Sequence, residues 1–437
     1  MDKPTVAVIG AGWAGCAAAV ELARRGAKVT VYEAARIAGG RARRIDWQGH
    51  ALDNGQHILL GAYRDTLHMM RTVGLKPSAL LLHLPLQMRY PPHEDGMDLV
   101  APRLPAPLHL VAGVLRAKGL TVADKLSLAR FSSAARWMGW QLNVDCTVAE
   151  LLDRFDQSAR LTKLMWRPLC IAALNTPPER ASAQVFLTVL RDSLGANRSA
   201  SDMLLPRVDL SALFPEAALA WIQKHGGRAL PGARVTSISS EDGEWLVRTA
   251  EGTERYRSVV IATSPAVAQD LLAGIDADTG SVPDFDYEAI TTCYLQYAPS
   301  VRLSAPMLAL VDDPDNDRRG QFVFDRGQLD ASQSGLLAVV ISASGEAAAS
   351  DTLEASVARQ LAEVLRMPEL ASPLWSKAVT EKRATFACVP NLKRPPNATA
   401  HRGLWLAGDY TEGEYPATIE GAVRSGLLAA GGILKTC

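Results

Sequence analysis

The chain opens on four consecutive apolar residues, Val6, Ala7, Val8 and Ile9, followed at once by Gly10, Gly12 and Gly15. An apolar run without alternation predicts a strand buried on both faces. A helix is predicted over 14–25, closed by Gly26, and a second strand over 28–32 that ends on Glu33. From about 64 to 200 the period is helical, clearest over 128–138 and 186–194, with proline and glycine clusters as punctuation. Near Val235 the pattern changes. Residues 233–238 and 244–249 alternate like two strands around Ser-Ser-Glu-Asp-Gly, and 258–263 reads as a buried strand. Strands are predicted over 289–296, 321–324, 336–342 and 378–387, with one helix over 353–365. The end returns to the pattern of the start: a strand over 404–407, then Gly408-Asp409, then a helix from about Thr418.

The first fifty residues carry the chemistry. Gly10 permits a tight turn, Gly12 lets the backbone approach a pyrophosphate, and Gly15 lets helix and strand pack closely. The amides that open the helix face the phosphates, and the helix dipole favours their negative charge. Glu33 stands where a carboxylate accepts from ribose hydroxyls. A second glycine pair with arginine, Gly39-Gly40-Arg41, is no part of a plain NAD site. It resembles the FAD signature of the amine oxidase and phytoene desaturase superfamily. Gly408-Asp409-Tyr410-Thr411 after an apolar strand is the other half of that signature. The small residues Gly421, Ala422, Ser425 and Gly426 of the last helix leave room for a ring or a strand beside it.

Composition narrows the partners. Lys plus Arg equals Asp plus Glu at 46 each, so no basic field favours nucleic acid. Hydrophobic residues make up 48% of the 437, as in a globular enzyme with a filled core. The cysteines at 16, 146, 170, 293, 388 and 437 form no CxxC pair, which points to reduced thiols and a cytoplasmic protein. The eight histidines show no ligand spacing, so no metal is expected. No signal peptide is read at the start, and no window holds the ~20 apolar residues that span a bilayer. Residues 104–120 are apolar, short and flanked by Arg103, Arg116 and Lys118. That stretch suits either a dip into one leaflet or a buried helix lining a tunnel.

Four segments together carry a closer resemblance: the N-terminal glycine turn with Glu33 and Gly39-Gly40-Arg41; Leu52-Asp53-Asn54-Gly55-Gln56-His57; Leu205-Pro206-Arg207-Val208-Asp209-Leu210-Ser211; and the run from Leu406 to Gly421. From end to end the chain resembles the bacterial hydroxysqualene dehydroxylases, the squalene-associated FAD-dependent desaturases. The resemblance implies an α/β fold. A Rossmann-like FAD-binding domain, of amine oxidase and phytoene desaturase type, is built from 1–65, 205–285 and 390–437. An inserted α+β substrate domain comes from 66–204, mostly helical, and 286–389, strand-rich. The implied FAD contacts are Gly10, Ala11, Gly12, Ala14, Gly15, Glu33, Ala34, Gly40, Arg41, Gly55, Gln56, Val235, Gly408, Asp409 and Ile419. One departure is Ala35, where many relatives carry arginine; Arg36 follows it.

The implied reaction replaces an allylic hydroxyl of hydroxysqualene with hydride from reduced flavin, giving squalene for hopanoid synthesis. It needs a proton for the leaving hydroxyl and a dry pocket for the cation. His57, Glu412 and Tyr415 are the leading catalytic candidates, with Asp53, Gln56, Tyr410 and Glu414 near them in sequence. The implied partner is a long isoprenoid lipid, met by peripheral contact with the inner face of the membrane. Two further enzyme readings compete, a carotenoid-type desaturase and a soluble amine oxidase. The non-enzyme reading is a prenyl-lipid binder of the same fold. Intact glycines, Glu33 and Gly408-Asp409 favour an enzyme.

Overall fold

The computed structural model describes residues 4–275, 282–345 and 352–436. Its centre is a five-stranded parallel sheet in the order Arg228–Pro231, Lys28–Glu33, Thr5–Ile9, Ser258–Ile261, Leu404–Leu406. Val8 lies opposite Val31 on one side and Val260 on the other. Odd and even residues serve different cores, which is why both faces of the inner strands are buried, Thr30 and Ser258 included. Val6, Val8, Val31 and Val260 pack beneath the helices Trp13–Arg24 and Ile419–Thr436. Ala7, Ile9, Val259 and Ile261 pack with Ile238, Trp245 and Val247 of an antiparallel three-stranded sheet, Val235–Glu241, Glu244–Thr249 and Gly252–Tyr256.

The second half is built on an antiparallel sheet in the order Met307–Ala309, Phe322–Asp325, Leu336–Ser342, Tyr287–Gln296, Trp375–Phe386. Here alternation separates two faces. Cys293, Leu295, Val339 and Ile341 meet the helix Leu353–Leu365. Tyr294, Phe324 and Val340 turn the other way.

Helices fill most of 64–200, among them Leu108–Arg116, Val122–Trp137 and Ala183–Ser193. Several short elements there had no periodic signal. Leu59–Leu60, Met203–Pro206 and Leu81–Leu84 form a small sheet, and Gln87–Arg89 pairs with Asp98–Val100. Two to four residues cannot display a period. The helix within 104–120 starts only at Leu108, after Pro105 and Pro107. The edge strand Arg228–Pro231 was also unforeseen, since four residues are too few to display a period.

Cys16, Cys146, Cys170, Cys293 and Cys388 are buried and unpaired; Cys437 lies outside the described residues. Among the described residues no helix is long and apolar enough to cross a membrane.

Candidate active site

The glycine turn gives each glycine a separate task. Gly10 has φ +106°, and its N–H donates to Tyr32 O at 2.7 Å. A Cβ on Gly15 would stand 2.0 Å from Gly10 O, so the helix could not reach the turn. Gly12 is different. Its backbone is extended, and a Cβ there would meet nothing nearer than Gly40 Cα, at 3.9 Å. Packing within the protein does not require glycine at 12; a close approach by something else does. The helix that starts there has no side-chain cap and no acid in its first turn. An open cradle and uncapped amides fit a pyrophosphate.

The surrounding segments complete the groove. Gly39 N–H donates to Ala11 O at 2.9 Å, drawing the second glycine pair alongside the first. The Glu33 carboxylate accepts from the N–H groups of Ala11 (2.7 Å) and Ala35 (2.8 Å). Ala14 is buried at the helix start and Ala34 is exposed beside the acid. Gly232 N–H donates to Ala35 O at 3.0 Å, which brings the buried Val235 toward the same end.

The chain's two ends meet at Arg41. Its guanidinium forms an ion pair with Asp409, 368 residues away, and donates to Ala384 O at 2.7 Å. Ser425 Oγ accepts from Gly408 N–H at 2.9 Å, locking the Gly-Asp turn onto the last helix. Glu420 is fully buried and accepts from Thr66 N–H (3.0 Å) and Thr66 Oγ1 (2.7 Å), so it caps the helix Arg64–Thr72. The small residues of the last helix serve a purpose other than the one expected. A Cβ on Gly426 would stand 2.2 Å from Ala14 O, so this glycine admits the first helix rather than a ring.

From this junction a cavity of about 360 Å³ runs into the second half of the molecule. Arg41, Asn54, Gly55, Gln56, His57, Thr418 and Ile419 line it. So do Met165, Leu169, Phe322, Phe324 and Val340, and Leu110, Gly113 and Val114 of the helix Leu108–Arg116. Cavities of this kind, mostly apolar with a few polar groups, are typical small-molecule sites.

The catalytic candidates separate. His57 lines the cavity; its Nδ1 lies 2.8 Å from Gly55 O, and burial holds its pKa below the usual imidazole value. The carbonyl accepts, so Nδ1 carries the hydrogen and Nε2 the lone pair. Gln56 lines it too, accepting from Arg326 Nη1 at 3.0 Å. Asp53 is buried behind them, accepting from Leu210 N–H at 2.8 Å, with burial pushing its pKa up to about 6. The other candidates lie off the cavity. Glu412 is exposed. Tyr415 donates to Asp192 Oδ2 at 2.6 Å, and the Arg424 guanidinium sits 4.1 Å from its ring centroid, so that aromatic face is taken. Glu414 pairs with Arg191 at 2.9 Å. Arg394 binds the carbonyls of Asp409, Gly413 and Tyr415, which turns this segment outward. Tyr410 is buried, its hydroxyl without a partner. Asp209, whose role the sequence left open, caps the short helix Leu210–Leu213.

Sequence reasoning missed Glu381. It lines the cavity from the strand Trp375–Phe386, and its Oε2 accepts from Asn54 Nδ2 at 2.9 Å. Its only sequence signal was a place in an alternating strand. Among the described residues no cluster of His, Cys, Asp and Glu is arranged to hold a metal.

A glycine cradle for a pyrophosphate, an acid for the ribose, a Gly-Asp turn on a last helix and an adjoining apolar cavity define an FAD-binding oxidoreductase. The model of the flavin-containing amine oxidoreductases matches residues 13–434. The chain is 32% identical to the hydroxysqualene dehydroxylase of Rhodopseudomonas palustris, over 98% of this chain and 97% of that one. Identity to the zeta-carotene desaturase of a Synechocystis species is 23%, over 98% and 97%. In fold it matches cyclohexylamine oxidase from Brevibacterium oxydans, with a TM-score of 0.69, 18% identity and 99% of each chain covered. The chain belongs to the flavin-containing amine oxidoreductase family, among its hydroxysqualene dehydroxylases.

Proposed function

We propose that this protein reduces hydroxysqualene to squalene, a step of hopanoid synthesis, with FAD held by the residues named above. One observation carries the reading: the apolar cavity opens at its inner end onto Arg41, Gly55 and Ile419, where the FAD signature segments converge. Reduced FAD, when bound, supplies the hydride. The protein's share is orientation and exclusion of water. Met165, Leu169, Phe322 and Phe324 hold an isoprenoid chain, and the few polar groups at Asn54, Gln56, His57 and Glu381 orient its single hydroxyl. Removing water strengthens every charge interaction around the carbon that loses that hydroxyl. The weaker likeness to a carotene desaturase makes desaturation the second reading.

The lipid enters from a membrane surface on the cytoplasmic side. Support comes from the helix Leu108–Arg116, which has two apolar faces. Leu110, Gly113 and Val114 line the cavity, while Leu108, Val111 and Leu115 are 56%, 52% and 66% exposed. Val122 and Leu126 extend the exposed patch, and Arg103, Arg116, Lys118 and Lys125 border it. Apolar side chains ringed by cations suit an anionic leaflet.

The test is anaerobic. Photoreduced protein is mixed with hydroxysqualene, and flavin reoxidation and squalene are followed together. Equal amounts of squalene and oxidised flavin are expected. Squalene-free reoxidation, or turnover with phytoene alone, overturns the reading.

A further inference from the structure

The proposed reaction needs a proton donor, and the cavity offers few. Among the described residues lining it, the side chains that titrate are Arg41, His57, Tyr63 and Glu381. Arg41 is committed to Asp409. His57 is neutral near pH 7, because burial lowers its pKa, and its one hydrogen is engaged by Gly55 O at 2.8 Å. The Tyr63 phenol is raised well above its usual value by burial and by Glu420, which makes it a weaker acid. Glu381 is the one carboxyl on this surface.

Its position is held from two sides. Asn54 Nδ2 donates to Glu381 Oε2 at 2.9 Å and to Arg41 O at 3.1 Å, so both amide hydrogens are spent and the amide cannot swing. Arg383 N–H donates to Oε1 at 3.3 Å. Each carboxyl oxygen keeps a second lone pair for a proton. Asn54 and Arg41 belong to the segments that gather at the cofactor, so the carboxyl sits where the lipid's reacting end must arrive.

On the dehydroxylation reading, we propose that Glu381 is the acid that protonates the departing hydroxyl, with Asn54 as its positioning residue. The O–H bond of the carboxyl breaks and a new O–H bond forms on the substrate oxygen. The C–O bond then breaks with its electron pair on oxygen, and water leaves. The electron pair that reduces the carbon would come as hydride from reduced FAD held beside Arg41, which would leave the flavin oxidised. A proton from solvent reloads the carboxylate.

Glu381→Gln in the FAD-loaded protein is the test. Squalene formation should fall about 10²–10⁴-fold, the range for a lost general acid. Flavin content and the visible-spectrum change on adding hydroxysqualene should not alter. Glu381→Asp should restore part of the rate. Infrared difference spectra should show a protonated carboxyl band perturbed by the lipid and missing in Glu381→Gln. A Glu381→Gln variant at wild-type rate overturns the assignment alone. A wild type that makes no squalene overturns the reaction itself, and absence of the infrared band then rejects Glu381 as a protonated group.

Discussion

Around Gly12 and Gly40 the protein presents its backbone; around Leu169 and Phe324 it presents side chains. The first region is built from short segments in which spacing is the message. Two glycines two residues apart, and an acid eighteen residues beyond the third, fix where amides and a carboxylate stand. The second region is built from many segments between about 41 and 419, each giving a few apolar groups. A backbone site fails when one atom is added. A side-chain site tolerates exchange as long as volume and apolarity persist.

The sharpest break in that contrast is a pair of alanines three residues apart. Gly15→Ala places a methyl group 2.0 Å from Gly10 O, and should cost about 3 kcal/mol of apoprotein stability, seen as a fall in melting temperature. Gly12→Ala meets no atom within 3.9 Å, and should leave the apoprotein within about 0.5 kcal/mol of wild type. It should nevertheless weaken FAD binding at least about tenfold by titration, roughly 1.4 kcal/mol. Equal damage to the apoprotein from both variants would show that Gly12 serves the fold and not the cofactor.

Next in size is the outer face of the helix Leu108–Arg116. Val111→Asp with Leu115→Asp removes two exposed apolar groups that line no part of the cavity. Sedimentation with anionic vesicles should fall about tenfold or more, as expected from 1.5–3 kcal/mol per apolar side chain. Turnover of detergent-dispersed hydroxysqualene and the melting temperature should hold.

The smallest effect concerns Asp53. Burial raises its carboxyl pKa from 3.8 to about 6, so the folded state keeps a proton that the unfolded chain has released. Stability on this account is greatest below the unfolded value, falls as pH rises from about 4 to about 6, and stays lower above that. Asp53→Asn keeps an acceptor for Leu210 N–H and removes the buried charge. Melting temperatures across pH 4–8 should show the variant at or above wild type beyond pH 6, with a flatter slope. A variant that loses stability most above pH 6 would mean that the charge is stabilising, contrary to the burial argument.

The same contrast explains what could be read in advance. The strands through Val8, Val31 and Val260, the helix Leu353–Leu365 and the glycine turn announce themselves through local period or spacing. So do Arg41 and Asp409, although only the fold reveals that they pair. Glu381 was not legible, because its significance is its distance to Asn54, a contact between residues 327 apart in sequence. The seatings of Tyr415 and Gly426 were misjudged for a related reason. Each had a local chemistry that suited a ligand, and a partner from elsewhere, Asp192 for one and the first helix for the other, had already claimed it.

The contact of Gly426 with Ala14 has a bearing on biosynthesis. Ile419, which opens the covering helix, is made 395 residues after Arg24, which closes the first helix. At about 5–20 residues per second, its greasy side waits on the order of tens of seconds for that cover. Over most of that interval Arg41 also lacks its partner Asp409. A stop codon ahead of Asp409 therefore leaves the first helix uncovered and Arg41 without its carboxylate together.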